Sequence, residues 1–333
     1  MKRVAINGLG RIGRMILRHY MEVRPKDIEI VAANDLVSTD DLAYLIKYDS
    51  VHGRASFPIS AEEGAIQLAD VSLKVFAERD PAQLPWKKLG VDAVIESTGF
   101  FTKRDLAAKH LQAGARRVII SAPSPDADVT IIIGVNENSF DPARHGVISN
   151  ASCTTNSLVP PLKVMLDEFG VERALVTTVH AYTGTQGLVD KPASKKIRGR
   201  AAAVSLVPTT TGSDVATTMV LPELKGRLRA LAIRAPIPDG AITDIVADLG
   251  KTVTVEEVNA AFKAASEGSM KGILGYSEDE LVSADIVGDT HSGIIHALST
   301  VVVQGSMVKV QVWYDNEYGY SRRLLDTIER LPV

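Results

Sequence analysis

The sequence predicts an α/β half followed by an α+β half. Three observations carry that expectation. Through about residue 150, short apolar runs alternate with segments of helical periodicity, and each run ends in small or polar residues. Beyond that point the alternation gives way to longer runs rich in Val and Thr, which favour strands. With 333 residues and 45% hydrophobic content, the chain has the length for two domains and the apolar surface to fill them.

The first run, Val4-Ala5-Ile6, reads as a short buried strand and leads into Gly8-Leu9-Gly10-Arg11-Ile12-Gly13, a G-x-G-x-x-G. Ile12, Met15, Ile16, His19 and Tyr20 then recur at the three- and four-residue spacing of one helix face. Residues 28–33 form a second strand ending at Asn34-Asp35, with Asp35 placed 22 residues beyond Gly13. Strand, glycine turn, helix, strand and acid in this order predict a Rossmann-type dinucleotide site. Gly8 permits the tight turn, Gly10 lets a pyrophosphate approach the backbone, and Gly13 lets the helix pack on the strand. The pyrophosphate would sit on the helix N-terminus. Asp35 would hydrogen-bond a ribose 2′-OH and repel a 2′-phosphate, so NAD is expected over NADP.

Two further strands, 91–96 and 117–120, end at Ser97-Thr98-Gly99 and Ser121-Ala122-Pro123, with Leu106, Ala107, His110, Leu111 and Ala113 marking a helix between them. Ligands on such sheets bind beyond the carboxyl ends of strands, where Thr98, Gly99 and Ser121 lie. Arg79, in Glu78-Arg79-Asp80-Pro81, reads equally as a cofactor contact or a solvated charge.

In the second half, residues 171–180 read as a strand, and 181–208 form a long stretch of little periodicity containing Gly184, Gly187, Pro192 and Gly199. Loops this long inside a compact domain are usually functional. Strands follow at 228–235 and 241–249, around Pro236-Ile237-Pro238-Asp239-Gly240. Thr254 and Glu257 form a capping box. A hairpin is expected around Gln304-Gly305-Ser306, and a last helix carries Leu324, Leu325, Ile328 and Leu331. The sheet of this half is expected to be mostly antiparallel.

The stretch richest in chemistry is Ser149-Asn150-Ala151-Ser152-Cys153-Thr154-Thr155-Asn156, which holds the only cysteine. The apolar run from Leu158 predicts a helix starting at or just after Cys153. Free N–H groups and the positive dipole end there would favour a thiolate, whereas the plainer reading is a small buried hydrophobe. Pro160 and Pro161 remove donors to the carbonyls of Asn156 and Ser157, so some distortion of that helix is expected. His180 stands at a strand end 27 residues after Cys153. If the two pair, the imidazole would activate the thiol and later move protons. A single cysteine forms no internal disulfide, fits a reducing, cytoplasmic setting and excludes Cys-x-x-Cys zinc sites, so no metal is expected. Net charge −3 and 5% aromatic content argue against a nucleic-acid partner. No apolar run approaches the roughly 18 residues of a membrane span.

At this point the motifs resemble those of the glyceraldehyde-3-phosphate dehydrogenase family, the phosphorylating glycolytic enzymes. The resemblance rests on Ile6-Asn7-Gly8-Leu9-Gly10-Arg11-Ile12-Gly13-Arg14, Lys47-Tyr48-Asp49-Ser50-Val51-His52-Gly53, Ala151-Ser152-Cys153-Thr154-Thr155-Asn156 and Trp313-Tyr314-Asp315-Asn316-Glu317-Tyr318-Gly319-Tyr320, and it spans essentially the whole chain. It implies a Rossmann-type NAD-binding domain at 1–150, a catalytic domain at 151–315, and a final helix, 316–333, returning to the first domain. It implies Cys153 as nucleophile and His180 as base. Arg11, Ile12, Asp35, Arg79, Ser121 and Asn316 match positions that hold NAD, beside Gly8, Gly10 and Gly13. Ser152, Thr154, Thr183, Arg198, Thr211, Gly212 and Arg234 match positions that share two anion sites, one for the phosphate of glyceraldehyde 3-phosphate and one for inorganic phosphate. The resemblance further implies a homotetramer, with 181–208 beside a neighbouring subunit's cofactor.

Three departures qualify it. Ser157 stands where many members carry a second cysteine, which removes a local disulfide as an oxidation trap. The segment Thr209-Thr210-Thr211-Gly212-Ser213-Asp214-Val215 lacks a lysine that many relatives place after the glycine. Lys191, before Pro192, would favour a 2′-phosphate and so oppose Asp35, leaving NADP as the alternative cofactor. Erythrose-4-phosphate dehydrogenases share the fold and nucleophile, although Tyr318 and Tyr320 fit the glyceraldehyde phosphate enzymes better. Aspartate-semialdehyde dehydrogenases also join a G-x-G-x-x-G to a Cys–His pair but lack Ser-Cys-Thr-Thr-Asn.

Overall fold

The computed structural model describes residues 1–332 and divides into two compact units, residues 1–152 with the chain end from Ser321, and Cys153–Tyr320. The first division falls after Ser152 rather than 150, and the returning segment begins at Ser321 rather than 316.

The first unit is built on a nine-stranded sheet. Lys2–Asn7 lies at its centre between Ile28–Asn34 and Ala93–Glu96, all three parallel. Val71–Phe76 continues the parallel sheet beyond Ile28–Asn34, and Arg117–Ile120, Val147–Ser149 and Val129–Thr130 continue it on the other side. Ala65–Leu68 and Ile59–Glu62 add an antiparallel edge. Strand order therefore reverses about Lys2–Asn7, which opens a crevice at the carboxyl ends of the flanking strands. Val4, Ala5 and Ile6 are fully buried there, as are Met15, Ile16 and Leu17 of the helix Arg11–Val23 that covers them. The helix expected around 106–113 is two single turns, Arg104–Ala107 and Lys109–Gln112, separated at Ala108, whose ψ of −13° tightens the backbone.

A buried polar network holds the strand ends. The Trp86 indole donates to His110 Nδ1 at 3.0 Å. An indole N–H can only donate, so His110 carries its proton on Nε2, which faces Glu96 Oε2 at 3.1 Å. Asn7 Nδ2 donates to the same carboxylate oxygen at 2.6 Å, and Asn34 Nδ2 donates to Asn7 Oδ1 at 2.7 Å. Asn34 also clamps the next turn, donating to the Glu78 carbonyl at 2.9 Å and accepting from its N–H at 2.8 Å. Glu96 Oε1 accepts from the Thr98 N–H at 2.8 Å. The turns at Glu78 and Thr98 thus hang from one network.

The helix Tyr318–Arg330 supplies the returning segment. Leu324, Leu325 and Ile328 are fully buried. Lys2 Nζ donates to the carbonyls of Glu329 at 3.1 Å and Leu331 at 2.6 Å, satisfying the C-terminal end of that helix with a cation. Asn150 Nδ2 donates to the Ile131 carbonyl at 3.0 Å and Thr327 Oγ1 at 3.2 Å, fixing the turn that precedes the nucleophile.

The second unit holds a mixed sheet ordered Val207–Thr210, Leu228–Ala235, Val171–Ala181, Ala241–Leu249, Met307–Tyr314, Gly293–His296, Leu274–Ser277. Val171–Ala181 with Leu228–Ala235, and Leu274–Ser277 with Gly293–His296, pair parallel; the other pairings are antiparallel. Val301–Val303 and Met307–Tyr314 make the expected hairpin. Burial alternates strictly along Ala241–Leu249, as one packed face requires. Thr254 caps the helix Val255–Glu267 through the capping box with Glu257. The helix Cys153–Phe169 lies on this sheet, with Leu158, Val159, Leu162 and Met165 wholly buried. Each such side chain contributes about 1.5–3 kcal/mol. The helix runs unbroken through Pro160 and Pro161. That sheet contact, more than its hydrogen-bond ladder, holds it together where prolines withdraw two donors.

Candidate active site

The helix of the second unit begins at Cys153. The turn before it is bent at Ala151, a buried residue with φ of 53°, where an L-residue costs roughly 1–2 kcal/mol. The Ser149 hydroxyl accepts from the Ala151 N–H at 3.1 Å and steadies it. The chain thereby swings sharply from strand to helix and presents the thiol at the first helical position. Nothing in the sequence marks Ala151 as special.

His180 lies near the end of Val171–Ala181, and its Nε2 is 3.3 Å from Cys153 Sγ. The parallel register of Val171–Ala181 with Leu228–Ala235 sets Arg234 directly beside His180. Arg234 Nη1 approaches His180 Nδ1 at 2.6 Å and donates to the Ala181 carbonyl at 2.8 Å. Nδ1 itself stands 2.8 Å from that carbonyl oxygen. The His180 ring meets the Tyr314 ring edge-on at 5.9 Å.

Thr154 sits one residue beyond the thiol and is buried. Its Oγ1 lies 3.0 Å from the Tyr314 hydroxyl, which is 2.8 Å from Thr178 Oγ1. The hydroxyl expected at an anion site is thus part of a buried chain, and it also approaches the sulfur. Tyr314 and Thr178 are functional neighbours that sequence reasoning missed. Alternation in two strands could have found them, since each sits on the face of its strand that packs under the helix. Ser157 likewise has a structural role: its Oγ donates to the Thr154 carbonyl at 2.9 Å and lies 3.0 Å from Thr243 Oγ1.

Burial dominates the electrostatics. It pushes the Cys153 thiol up to about 11, against the pull of Arg234 and the Thr154 N–H. It also brings His180 down to about 3, with Arg234 adding to the effect. The helix start acts on the thiol in the opposite direction to this burial, and Cys153 itself is half-buried.

Three of the remaining expected anion groups, Arg198, Thr211 and Gly212, lie along one stretch of contacts. Arg198 Nε donates to Thr209 Oγ1 at 3.0 Å and Nη2 to the Thr210 carbonyl at 3.2 Å. Thr211 Oγ1 lies 2.8 Å from Ser213 Oγ, and Gly212 precedes the helix Ser213–Val220 with no side-chain cap. A Cβ at Gly212 would meet nothing within 4 Å. The Arg198 guanidinium thus lies against the segment leading into this helix, whose first N–H, at Ser213, is accepted by Thr211 Oγ1 at 3.2 Å. The positive charge of Arg198 also reaches His180 and Arg234. Thr183 Oγ1 lies 3.0 Å from Thr185 Oγ1 on the surface. Ser152 ends the first unit.

Gly8 has φ of 95°, and a Cβ there would lie 2.7 Å from Thr98 N; one at Gly13 would lie 2.1 Å from the Gly8 carbonyl oxygen. Both glycines are required by backbone packing. At Gly10 a Cβ would meet nothing within 4 Å, and the helix starting at Arg11 has neither a side-chain cap nor an acid in its first turn. That open, uncapped helix start fits a pyrophosphate. Ile12 is half-buried in that first turn. Arg11 pairs with Asp49, whose carboxyl is held down to about 2 despite its burial by that pairing and by backbone donors. Asp35 Oδ2 accepts from the Leu9 N–H at 2.7 Å, so the acid braces the glycine turn. The Asp35 N–H donates to the Phe76 carbonyl at 2.9 Å, which brings the exposed Arg79 turn to the neighbouring strand end. Ser121 follows Arg117–Ile120, its N–H donating to the Glu96 carbonyl at 2.9 Å. In the second unit, Asn316 is 6% exposed and its Oδ1 has no partner, as suits a group awaiting a polar ligand.

Comparison with known proteins agrees with this anatomy. Residues 2–104 match the family profile described as glyceraldehyde 3-phosphate dehydrogenase, NAD binding domain, and residues 152–316 match its C-terminal domain. A glyceraldehyde-3-phosphate dehydrogenase of Geobacillus stearothermophilus is 55% identical over 97% of this chain and 96% of its own length. Glyceraldehyde-3-phosphate dehydrogenase 1 of Bacillus subtilis is 53% identical over the same shares, and that of Streptomyces coelicolor 52%. The two profile matches and the near-complete coverage together establish that the chain belongs to the glyceraldehyde-3-phosphate dehydrogenase family and is an NAD-dependent oxidoreductase.

Proposed function

We propose that this enzyme oxidises glyceraldehyde 3-phosphate to 1,3-bisphosphoglycerate with NAD and inorganic phosphate. The observation that carries the mechanism is the 3.3 Å approach of Cys153 Sγ to His180 Nε2. NAD, when bound, accepts the hydride released by the substrate carbon. Gly8, Gly10, Arg11, Ile12, Gly13, Asp35, Arg79, Ser121 and Asn316 are the residues proposed to hold it.

The Cys153 sulfur adds to the aldehyde carbon as its proton passes to His180, which hands it on to the former carbonyl oxygen, giving a thiohemiacetal and a neutral imidazole. His180 then removes the hydroxyl proton as hydride leaves, and a thioester remains on Cys153. The Cys153 N–H and the imidazolium of His180 stabilise the oxyanion. Inorganic phosphate attacks the thioester carbon, the C–S bond breaks, and the sulfur regains a proton from His180. Trapping by phosphate keeps the oxidation energy in the acyl phosphate product. Arg234 and Thr183 are proposed for the substrate phosphate, and Arg198, Thr211, Gly212 and Ser152 for inorganic phosphate, because a guanidinium fork matches phosphate oxygens. Thr154 is proposed to act on the sulfur, with its hydroxyl held by Tyr314.

The oligomer proposed is a homotetramer in the cytoplasm. Leu188, Val189, Val204 and Leu206 of the long loop are each more than two-thirds exposed, between 67% and 79%, and support burial against another copy. No helix among the described residues is long and apolar enough to cross a membrane.

Initial rates on glyceraldehyde 3-phosphate and erythrose 4-phosphate, with NAD or NADP and with or without phosphate, test the assignment. The proposal requires NAD, the triose and phosphate to give the highest kcat/KM. Turnover indifferent to phosphate contradicts it.

A further inference from the structure

Glu96 is the last residue of the strand Ala93–Glu96 and is only 1% exposed. The donors on its carboxylate are oriented from elsewhere. The Glu78 backbone fixes the Asn34 amide by accepting from Nδ2 and donating to Oδ1. Asn34 Nδ2 therefore also donates to Asn7 Oδ1, and Asn7 Nδ2 is left to donate to Glu96 Oε2. The Trp86 indole donates to His110 Nδ1, so that ring carries one proton, on Nε2, aimed at the same oxygen. Glu96 Oε1 accepts the Thr98 N–H and also meets the Thr98 hydroxyl. Donors converging on both oxygens are the setting of an ionised carboxylate. Among the described residues only His110 comes within ion-pair distance of it, and with one proton that ring is uncharged. A net negative charge is thus sealed beneath the strand ends.

This charge lies on one flank of the cofactor crevice. Asp35, the acid for the adenosine ribose, follows Ile28–Asn34 on one side of Lys2–Asn7, and the open helix start at Gly10 suits the pyrophosphate. A dinucleotide laid across such a switch point carries its second nucleoside over the other side, where Ala93–Glu96 ends. That half bears the nicotinamide, whose ring is cationic in NAD and uncharged in NADH. We propose that Glu96 is an electrostatic selector that biases the cofactor site toward the oxidised form. Its charge attracts the cationic ring and gives the reduced ring no such attraction, which favours uptake of NAD and release of NADH. Burial shields the interaction from salt. Glu96 acts through its field, and as a positioning residue through Asn7 and Thr98, not by contact with the reacting atoms. The inference rests on the reading that the glycine turn and Asp35 hold the dinucleotide in this order.

The test is equilibrium titration of the full-length enzyme with NAD and with NADH, taking the ratio of the two dissociation constants. The wild type is expected to bind NAD more tightly than NADH. Glu96→Gln removes the charge and sets an amide among donors, so both forms are expected to bind more weakly. The preference for NAD is expected to narrow as well, on the order of fivefold or more. Glu96→Asp keeps the charge and is expected to keep the preference. A purely structural role would weaken both forms alike, so an unchanged ratio in Glu96→Gln overturns the selector. A wild type that binds NADH more tightly than NAD overturns it too, and that result needs no variant to fold. Asp35→Ala separates the selector from the reading beneath it. If Asp35→Ala weakens both forms while Glu96→Gln leaves the ratio unchanged, the selector falls and the cofactor reading survives. If Asp35→Ala leaves both affinities unchanged, both fall.

Discussion

At the residue scale, the site is governed by desolvation of a few named atoms. Cys153→Ser leaves an oxygen too weakly nucleophilic to form the covalent intermediate, and activity is expected to fall on the order of 10⁴-fold or more while NAD binding persists. NADH formation and NAD titration measure the two separately. His180 carries a stability signature as well. Its folded pKa, about 3, lies below its ordinary value of 6.5, so the unfolded chain binds a proton that the folded chain refuses. The associated stability is therefore present above about pH 6.5 and is lost progressively as pH falls toward 3. Urea midpoints of the wild type should fall faster over that window than those of His180→Gln, and parallel curves would contradict the buried-neutral assignment. Tyr314→Phe strands the buried hydroxyls of Thr154 and Thr178 and is expected to cost about 1–3 kcal/mol in urea unfolding.

At the scale of elements, the glycine turn and the network beneath it decide cofactor binding. Gly13→Ala drives a Cβ to 2.1 Å from the Gly8 carbonyl oxygen, so strand and helix must part, and NAD affinity should fall about tenfold or more, a loss of about 1.4 kcal/mol. Wild-type affinity in a titration would show that the turn has slack. Much of this was legible in the sequence. The G-x-G-x-x-G, the acid at Asp35 and the capping box at Thr254 are local signals, and each lies at the end of the element it predicts. The helix after Cys153 was also legible, but its passage through two prolines was not, because the sheet contact that sustains it is tertiary. The same limit hid the network of Glu96, His110, Trp86, Asn7 and Asn34, whose members come from distant segments. Thr154 was read from its neighbourhood as an anion ligand, and only the fold could bring Tyr314 onto its hydroxyl.

At the scale of the whole molecule, the chain holds a nucleotide-binding unit and a sheet-based unit in which Cys153 is the first residue of its helix. The exposed apolar residues of the long loop predict assembly, and sedimentation should give about four times the 35.7 kDa chain mass. A chain-sized mass at working concentration would remove the tetramer. The central claim, that oxidation proceeds through a thioester on Cys153 which phosphate discharges, is tested most directly by intact-mass spectrometry. Enzyme mixed with NAD and glyceraldehyde 3-phosphate in the absence of phosphate should gain one acyl group on the Cys153 peptide, and adding phosphate should remove it. An adduct on another residue, no adduct, or one that phosphate fails to discharge would contradict the account.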